Sequence, residues 1–177
     1  MTATPRPTPA APSAAAAGDT ADVSVEDAAS TRKAFEDKLK TNPDDPVALI
    51  GLGLSLQRLG LQREALTAFK RATEVAPGNA TARSNLAQLE ARQGEWDKAV
   101  TDYRIAARLT PDEYGVHYNL AQALHQTGDE QAAIAEYQTA IELAPGEAQT
   151  HRALGTSLER IGRAADAAKA YQRYLDL

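Results

Sequence analysis

Histidine is the side chain best suited to acid–base or metal chemistry near neutral pH, and this sequence has three: His117, His125 and His151. His117 and His151 lie 34 residues apart. A zinc site needs three or four ligands in a fixed geometry, and no HExxH spacing accompanies these residues. The sequence also lacks cysteine, a glycine-rich phosphate loop and a GxSxG motif. We therefore predict that the protein is not an enzyme and has no metal site or cofactor. We expect His117 and His151 to pack between repeats while partly exposed.

Two asparagines are the clearest candidates for binding chemistry. Asn85 and Asn119 also lie 34 residues apart, and each precedes Leu-Ala-Gln. A carboxamide both donates and accepts hydrogen bonds, so it can pair with the backbone of a bound peptide. Net contributions of about 0.5–1.5 kcal/mol per hydrogen bond fall short of the roughly 8 kcal/mol of micromolar binding, so apolar anchors such as Ile50, Leu54 and Tyr118 must contribute. The alternative is that both asparagines are ordinary solvated residues.

The interval that separates these residues runs through most of the chain. Residues of one type recur with this period: glycine at Gly60, Gly94, Gly128 and Gly162; alanine at Ala65, Ala99, Ala133 and Ala167; an aromatic residue at Phe69, Tyr103, Tyr137 and Tyr171; and proline at Pro43, Pro77, Pro111 and Pro145. Four types in phase, without insertion or deletion, indicate a solenoid built from repeated units.

Each period predicts a pair of helices. In the first period, Asp45-Pro46 is typical of a helix start, leucines follow at spacings of three and four, and Gly60 ends the helix. We predict first helices over about 46–59, 80–93, 113–127 and 147–161, and second helices over about 62–76, 96–109, 130–143 and 164–177. Gly94 and Gly128 are expected to have positive φ angles. Small residues should let the two helices of a pair cross closely: Gly53, Ala87, Ala121 and Gly155.

This pattern resembles the tetratricopeptide repeat, whose units carry Leu-Gly, Tyr, Ala, Phe and Pro at fixed positions over 34 residues. The resemblance covers four repeats, at about 46–79, 80–113, 114–147 and 148–177, within an array over 43–177. Residues 23–42 are predicted to form an N-terminal capping helix. The tryptophan of the family pattern is replaced by Leu49, Arg83, His117 and His151. The resemblance implies an all-α fold, a right-handed superhelical solenoid of antiparallel helix pairs.

Members of this family mostly bind peptides or helices of partner proteins in a concave groove lined by the first helices. We therefore predict a protein-interaction module, with a protein or peptide ligand. Helical spacing projects the following residues into the groove: Ile50, Leu54, Arg58, Ser84, Asn85, Gln88, Arg92, Tyr118, Asn119, Gln122, His125 and Arg152. The cations of a carboxylate clamp are missing, so a receptor for chaperone tails of that type is not expected.

Composition and charge limit the cellular location and the classes of binding partner that we expect. The net charge of −5 disfavours a nucleic-acid partner. No apolar run approaches the roughly 20 residues of a membrane span, and we expect a cytoplasmic protein without membrane contact. Residues 1–22 are rich in proline, alanine and threonine and are predicted to form a disordered tail. That tail is either a solubilising leader or a polyproline ligand.

The C-terminal helix suggests an alternative function. No polar cap follows it in the sequence, and it carries Tyr171, Tyr174 and Leu175. Each large side chain left exposed forgoes roughly 1.5–3 kcal/mol of burial. We therefore expect this helix to associate, most simply as a homodimer, which would make the protein a structural scaffold.

Overall fold

A computed structural model describes the backbone of residues 15–177 and the side chains from Glu26 onward. The described residues form nine helices and no strand: α1 (Ala15–Thr41), α2 (Pro46–Arg58), α3 (Gln62–Val75), α4 (Ala80–Arg92), α5 (Trp96–Leu109), α6 (Tyr114–Thr127), α7 (Glu130–Leu143), α8 (Ala148–Arg160) and α9 (Ala164–Asp176). The all-α helical repeat architecture predicted from the sequence is confirmed. Each repeat helix begins and ends within about two residues of its predicted bounds.

The N-terminal helix is longer than its sequence predicted. It begins at Ala15, whereas helix was expected from Val23, so residues 15–22 are helical where a disordered tail was expected. Pro12 is the last proline before this segment, and alanine, the best helix former, is abundant after it. The rest of the predicted tail, residues 1–14, lies outside the described residues.

Side chains and glycines at the helix ends fix the boundaries of the repeats. Asp45 accepts from the backbone N–H of Val47 and Ala48 at the start of α2, at 2.9 and 3.3 Å, which confirms the predicted N-cap. Gly94 and Gly128 have φ angles of 78° and 85°, as predicted. Only glycine adopts this left-handed conformation without a steric penalty, so both helices end there.

Close crossing of the two helices in each pair builds the core. A Cβ atom on Gly53 would lie 2.6 Å from the Phe69 ring, and one on Gly155 would lie 2.6 Å from the Tyr171 ring. In the first and fourth repeats, the aromatic residue of the second helix therefore packs where the first helix has no side chain. Phe69, Tyr103 and Tyr137 are almost fully buried by this packing.

Successive pairs stack so that the first helices form the inner row. Among the described elements, α4 contacts α6 and α6 contacts α8, while second helices of neighbouring repeats approach each other less closely. The closer row is the inside of the curve, so α2, α4, α6 and α8 line the concave face. None of the helices in the described part of the chain combines the length and apolarity that a bilayer crossing requires.

Candidate binding groove

The concave face contains three clefts, which together we call the inner groove. One lies where α1 meets α2, one between α4 and α6, and one between α6 and α8. Their volumes are about 180, 410 and 320 Å³. Each cleft is open to solvent, which suits an extended chain or a helix better than a small metabolite.

The N-terminal cleft is the apolar part of the inner groove. Phe35 packs over Gly51, where any Cβ would overlap its ring, and Leu54 and Arg58 complete the lining. Leu54 is 41% exposed and is available as an apolar anchor. Ile50, also predicted for the groove, is half-buried and packs against the core of the first two repeats.

The middle cleft brings the two predicted asparagines together. Asn85 and Asn119 line it with Ser84, as the 34-residue spacing indicated. The Asn85 side-chain amide donates to the carbonyl of Thr81 at 2.8 Å, and its oxygen accepts no hydrogen bond within the described residues. Within the described residues, the Asn119 side chain makes no hydrogen bond to protein and retains both functions. The cleft also includes residues that helical projection did not select: Ala80, Thr81, Thr110, Glu113, Gly115 and Val116.

The third cleft contains Gln122, His125 and Arg152, all predicted for the groove. Trp96 and Gln126 also line it, and neither was predicted. Trp96 is the first residue of a second helix, so a projection limited to first helices could not include it. Trp96 is the only tryptophan in the chain, and this was the one feature of the sequence that could have marked it as a candidate binding residue.

Two of the predicted groove residues are partly engaged by their own chain. His125 Nδ1 lies 2.9 Å from Glu130 Oε2 and 3.1 Å from Ser157 Oγ. The Tyr118 hydroxyl accepts from Gln122 at 2.9 Å, and its ring lies against Tyr114 and Tyr137. Partial burial raises the pKa of Tyr118, and the neighbouring Tyr114 raises it further by a smaller amount. These contacts fix the orientation of both side chains.

The arginines predicted for the groove are less engaged, and of these Arg58 and Arg152 line the clefts whereas Arg92 does not. Within the described residues, Arg58, Arg92 and Arg152 have no carboxylate within ion-pair distance. Arg152 instead donates to Gln149 at 2.9 Å. Gln88 accepts from Gln57 of the preceding repeat at 3.3 Å. The groove therefore presents amides and unpaired guanidinium groups beside its apolar end.

The other two histidines, which were expected to pack between repeats while partly exposed, are buried. His117 is 8% exposed, with Nδ1 2.7 Å from Glu136 and Nε2 2.9 Å from the carbonyl of Pro111. His151 is equally buried, and its Nε2 lies 3.3 Å from the carbonyl of Pro145. Across the described part of the chain, no three His, Asp or Glu side chains are grouped so that they could hold a metal ion.

In the last helix, Tyr171 is less exposed than expected for an association surface. Tyr171 is half-buried because it packs on Gly155 of its own repeat, and its hydroxyl donates to Glu159 at 3.0 Å. It therefore offers little surface to another molecule. Tyr174 is also half-buried, while Leu175 is 73% exposed.

Comparison with known proteins agrees with this architecture. The sequence profile of the tetratricopeptide repeat matches residues 50–114, 85–148 and 118–177. A search of curated protein sequences found no significant match.

Solved structures of similar fold include three proteins at low sequence identity. A MamA crystal structure has a TM-score of 0.78 at 23% identity, and the match covers 82% of this chain and 85% of that one. MamA from Desulfovibrio magneticus RS-1 has a TM-score of 0.80 at 19% identity, with 90% and 91% covered. YrrB has a TM-score of 0.76 at 19% identity, with 82% and 75% covered. At these identities the likeness establishes the fold alone. The helix pairs, the 34-residue period and the profile match across most of the chain together show that the protein belongs to the tetratricopeptide repeat family.

Proposed function

We propose that this protein is a non-catalytic interaction module that binds an extended or helical segment of a partner protein in its inner groove. Membership of the tetratricopeptide repeat family supports a role in protein interaction. YrrB, one of the structural neighbours, is described as a tetratricopeptide repeat protein with an unusual peptide-binding site.

The observation that carries the proposal is the middle cleft. Asn85 and Asn119 come from successive first helices and line the same cleft. Within the described residues, the oxygen of Asn85 and both polar groups of the Asn119 side chain make no hydrogen bond to the protein. Backbone amides of a bound peptide supply the complementary donors and acceptors. Leu54 at one end and Trp96 at the other provide apolar area, which the modest energy of hydrogen bonds requires.

The test uses a partner identified by affinity capture with the full chain and confirmed with purified protein. The double variant Asn85→Ala with Asn119→Ala should weaken binding by about tenfold, as expected for the loss of one to two hydrogen bonds. Its thermal melt, followed by circular dichroism, should be nearly unchanged because both side chains lie at the surface of the groove. Asn42→Ala with Gln131→Ala is the matched control, because both are exposed amides outside the inner groove. Equal affinity of the test and control variants would reject the asparagine contact.

A homo-oligomeric scaffold is the second candidate, and the exposed apolar side chains of the last helix favour it. Leu175 is 73% and Leu177 50% exposed. Light scattering at tens of micromolar would then detect a dimer in the wild type, and Leu175→Glu would abolish it. Leu175 is substituted alone because Tyr171 packs on Gly155, so a charge at Tyr171 would damage the repeat itself. A monomeric wild type at that concentration would exclude this function.

A further inference from the structure

One pair of positions on the outer face differs between the repeats in a systematic way. The first member lies on the first helix, where the family pattern has tryptophan, and the second lies on the second helix, 19 residues later. The four pairs are Leu49 with Ala68, Arg83 with Asp102, His117 with Glu136, and His151 with Ala170.

In the middle two repeats, a basic residue at the first position meets an acid at the second. Arg83 Nη1 lies 2.6 Å from Asp102, and His117 Nδ1 lies 2.7 Å from Glu136. The other nitrogen of His117 donates to the carbonyl of Pro111. Both ring nitrogens of His117 therefore have an acceptor within hydrogen-bond distance. In the first repeat both members are apolar, so no charge needs a partner there.

The fourth repeat keeps the histidine and lacks the acid. His151 Nε2 lies 3.3 Å from the carbonyl of Pro145, which repeats the His117 contact with Pro111 one unit later and so gives the ring the same orientation. Ala170 stands where the third repeat has Glu136 and offers no acceptor. Within the described residues, His151 Nδ1 has no hydrogen-bond partner; the residue as a whole is only 8% exposed, but this nitrogen is not among the atoms shielded from solvent.

His151 lines an open groove of about 590 Å³ between α7 and α9, which we call the outer groove. Leu154, Leu158 and Ala170 contribute an apolar floor. Three cations line its walls, against two acids. One acid, Asp166, already pairs with Arg163 at 2.6 Å and with Lys169 at 3.6 Å, and the other is Glu142. No carboxylate of the described residues lies within ion-pair distance of Arg173.

We propose that the outer groove binds a carboxylate side chain, Asp or Glu, from a partner protein, and that this carboxylate takes the place that Glu136 holds in the preceding repeat. His151 Nδ1 donates to it, Arg173 adds a favourable charge, and the apolar floor accommodates the methylene groups of the ligand residue. This site lies on the opposite face from the inner groove, so it does not depend on the function proposed above.

The test follows the histidine side-chain signals of the isotope-labelled full chain by NMR. The probe is a capped, alanine-rich peptide with two glutamates four residues apart, and the same peptide with glutamines is the control. The glutamate peptide should shift the His151 signals and leave those of His117 in place, because Glu136 already occupies the equivalent position. The glutamine peptide should shift neither. An unresponsive His151 at saturating peptide would overturn the proposal.

Two reciprocal variants make the test specific. Ala170→Glu supplies the missing acid from within and should weaken peptide binding by about tenfold. Glu136→Ala opens the equivalent position in the third repeat, so His117 should then respond to the glutamate peptide. Because each variant could affect folding by itself, circular dichroism is measured for both. One correctly folded variant is sufficient to test the proposal. Unchanged peptide affinity in folded Ala170→Glu, or a silent His117 in folded Glu136→Ala, would contradict the assignment. The assignment would also be contradicted if the His151 signals responded to inorganic phosphate and did not respond to the glutamate peptide.

Discussion

Glu90 is a charged residue at a position where the other repeats have an apolar one. The equivalent residues are Leu56, Leu124 and Leu158, all buried. Glu90 is 3% exposed, and its Oε2 atom has no hydrogen-bond partner. Burial, together with the nearby charge of Asp102, raises its pKa from 4.5 to about 7. The ionised form is therefore disfavoured in the folded protein.

This raised pKa predicts that the protein loses stability as the pH rises toward neutrality. The unfolded carboxyl group releases its proton near pH 4.5, whereas the folded one keeps it until about pH 7. The folded state therefore binds the proton more tightly, and the contribution to stability is fully present below pH 4.5. It falls by about 1.4 kcal/mol per pH unit between these two values, or by about 3 kcal/mol in all. Above pH 7 this contribution is constant.

Glu90→Leu should remove that dependence and raise the free energy of unfolding at pH 8 by about 1–3 kcal/mol, because a buried, unpaired carboxylate is replaced by the residue of the other repeats. Urea denaturation of wild type and variant between pH 5 and 8 measures both effects. Glu90→Gln is the control: it should flatten the pH profile without the full gain, since it cannot ionise and remains polar. Parallel pH profiles for wild type and Glu90→Leu would show that Glu90 does not titrate in this range.

The histidines illustrate what a sequence can reveal about single residues. The 34-residue spacing of His117 and His151 indicated partly exposed packing between repeats, whereas both residues are buried, each against the proline carbonyl six residues earlier. The acid that pairs with His117 was not predicted, because Glu136 lies on another helix and its side chain can point either into the repeat or into solvent. Aligning the four repeats position by position would have revealed it, since Arg83 and Asp102 repeat the same basic–acidic combination one unit earlier.

At the scale of the element, the crossing of α2 and α3 depends on the absence of one side chain. Gly53→Ala places a Cβ 2.6–2.9 Å from three atoms of the Phe69 ring, which is fully buried and cannot move aside. We expect a loss of about 1–3 kcal/mol in stability from overpacking. Gly78→Ala is the matched control because a Cβ added there would have no atom within 4 Å and its φ angle is not left-handed. Thermal melts of the two variants should differ clearly, and similar melting temperatures would show that the helix pair can move apart at little cost.

The end of α6 depends on the backbone conformation of a glycine, and not on a lack of room for a side chain at that position. Gly128 has a φ angle of 85°, and no atom lies within 4 Å of a Cβ placed on it. Gly128→Ala should therefore cost about 1–2 kcal/mol through backbone strain alone. Gly146→Ala, which meets open space without a left-handed φ, should be neutral or slightly stabilising. Chemical denaturation separates the two cases, and equal stabilities would mean that residue 128 relaxes out of the left-handed conformation.

Helix bounds were predictable from this sequence because the signals that set them are local. Caps, glycines and prolines recur with the period, and each acts on the backbone beside it. The lining of the inner groove was predictable only in part. Asn85 and Asn119 share a helix face and a register, but the place of Trp96 depends on how one helix pair is rotated onto the next. The engagement of His125 by Glu130 and Ser157 likewise depends on contacts between elements that no local pattern encodes.

At the scale of the whole molecule, the core is not continuous along the solenoid. One large cluster of buried residues joins the second, third and fourth repeats, from Ala87 to Ala170, and it contains Tyr103 and Tyr137. The first repeat is joined to the second through two smaller clusters, around Phe69 and around Ala72. In a solenoid, stability is approximately the sum of the repeats and of the interfaces between neighbours. The first repeat and its joint should therefore be the weaker part of the array.

Glu90 lies in α4, in the second repeat, and the charges that act on it include Lys70 on α3 and Asp102 on α5. Burial disfavours the ionised form, and the attraction of Lys70 offsets this only in part, so ionisation of Glu90 should weaken the second repeat beside this joint. Hydrogen exchange, expressed as protection relative to intrinsic rates, should be lower in α2–α4 than in α6–α8, because opening the weaker end leaves the large cluster intact. The difference should widen from pH 6 to pH 8 in the wild type and stay constant in Glu90→Leu. Uniform protection along the chain would mean that the array opens as one cooperative unit. A gradient that does not change with pH would instead mean that Glu90 is not coupled to the joint between the first two repeats.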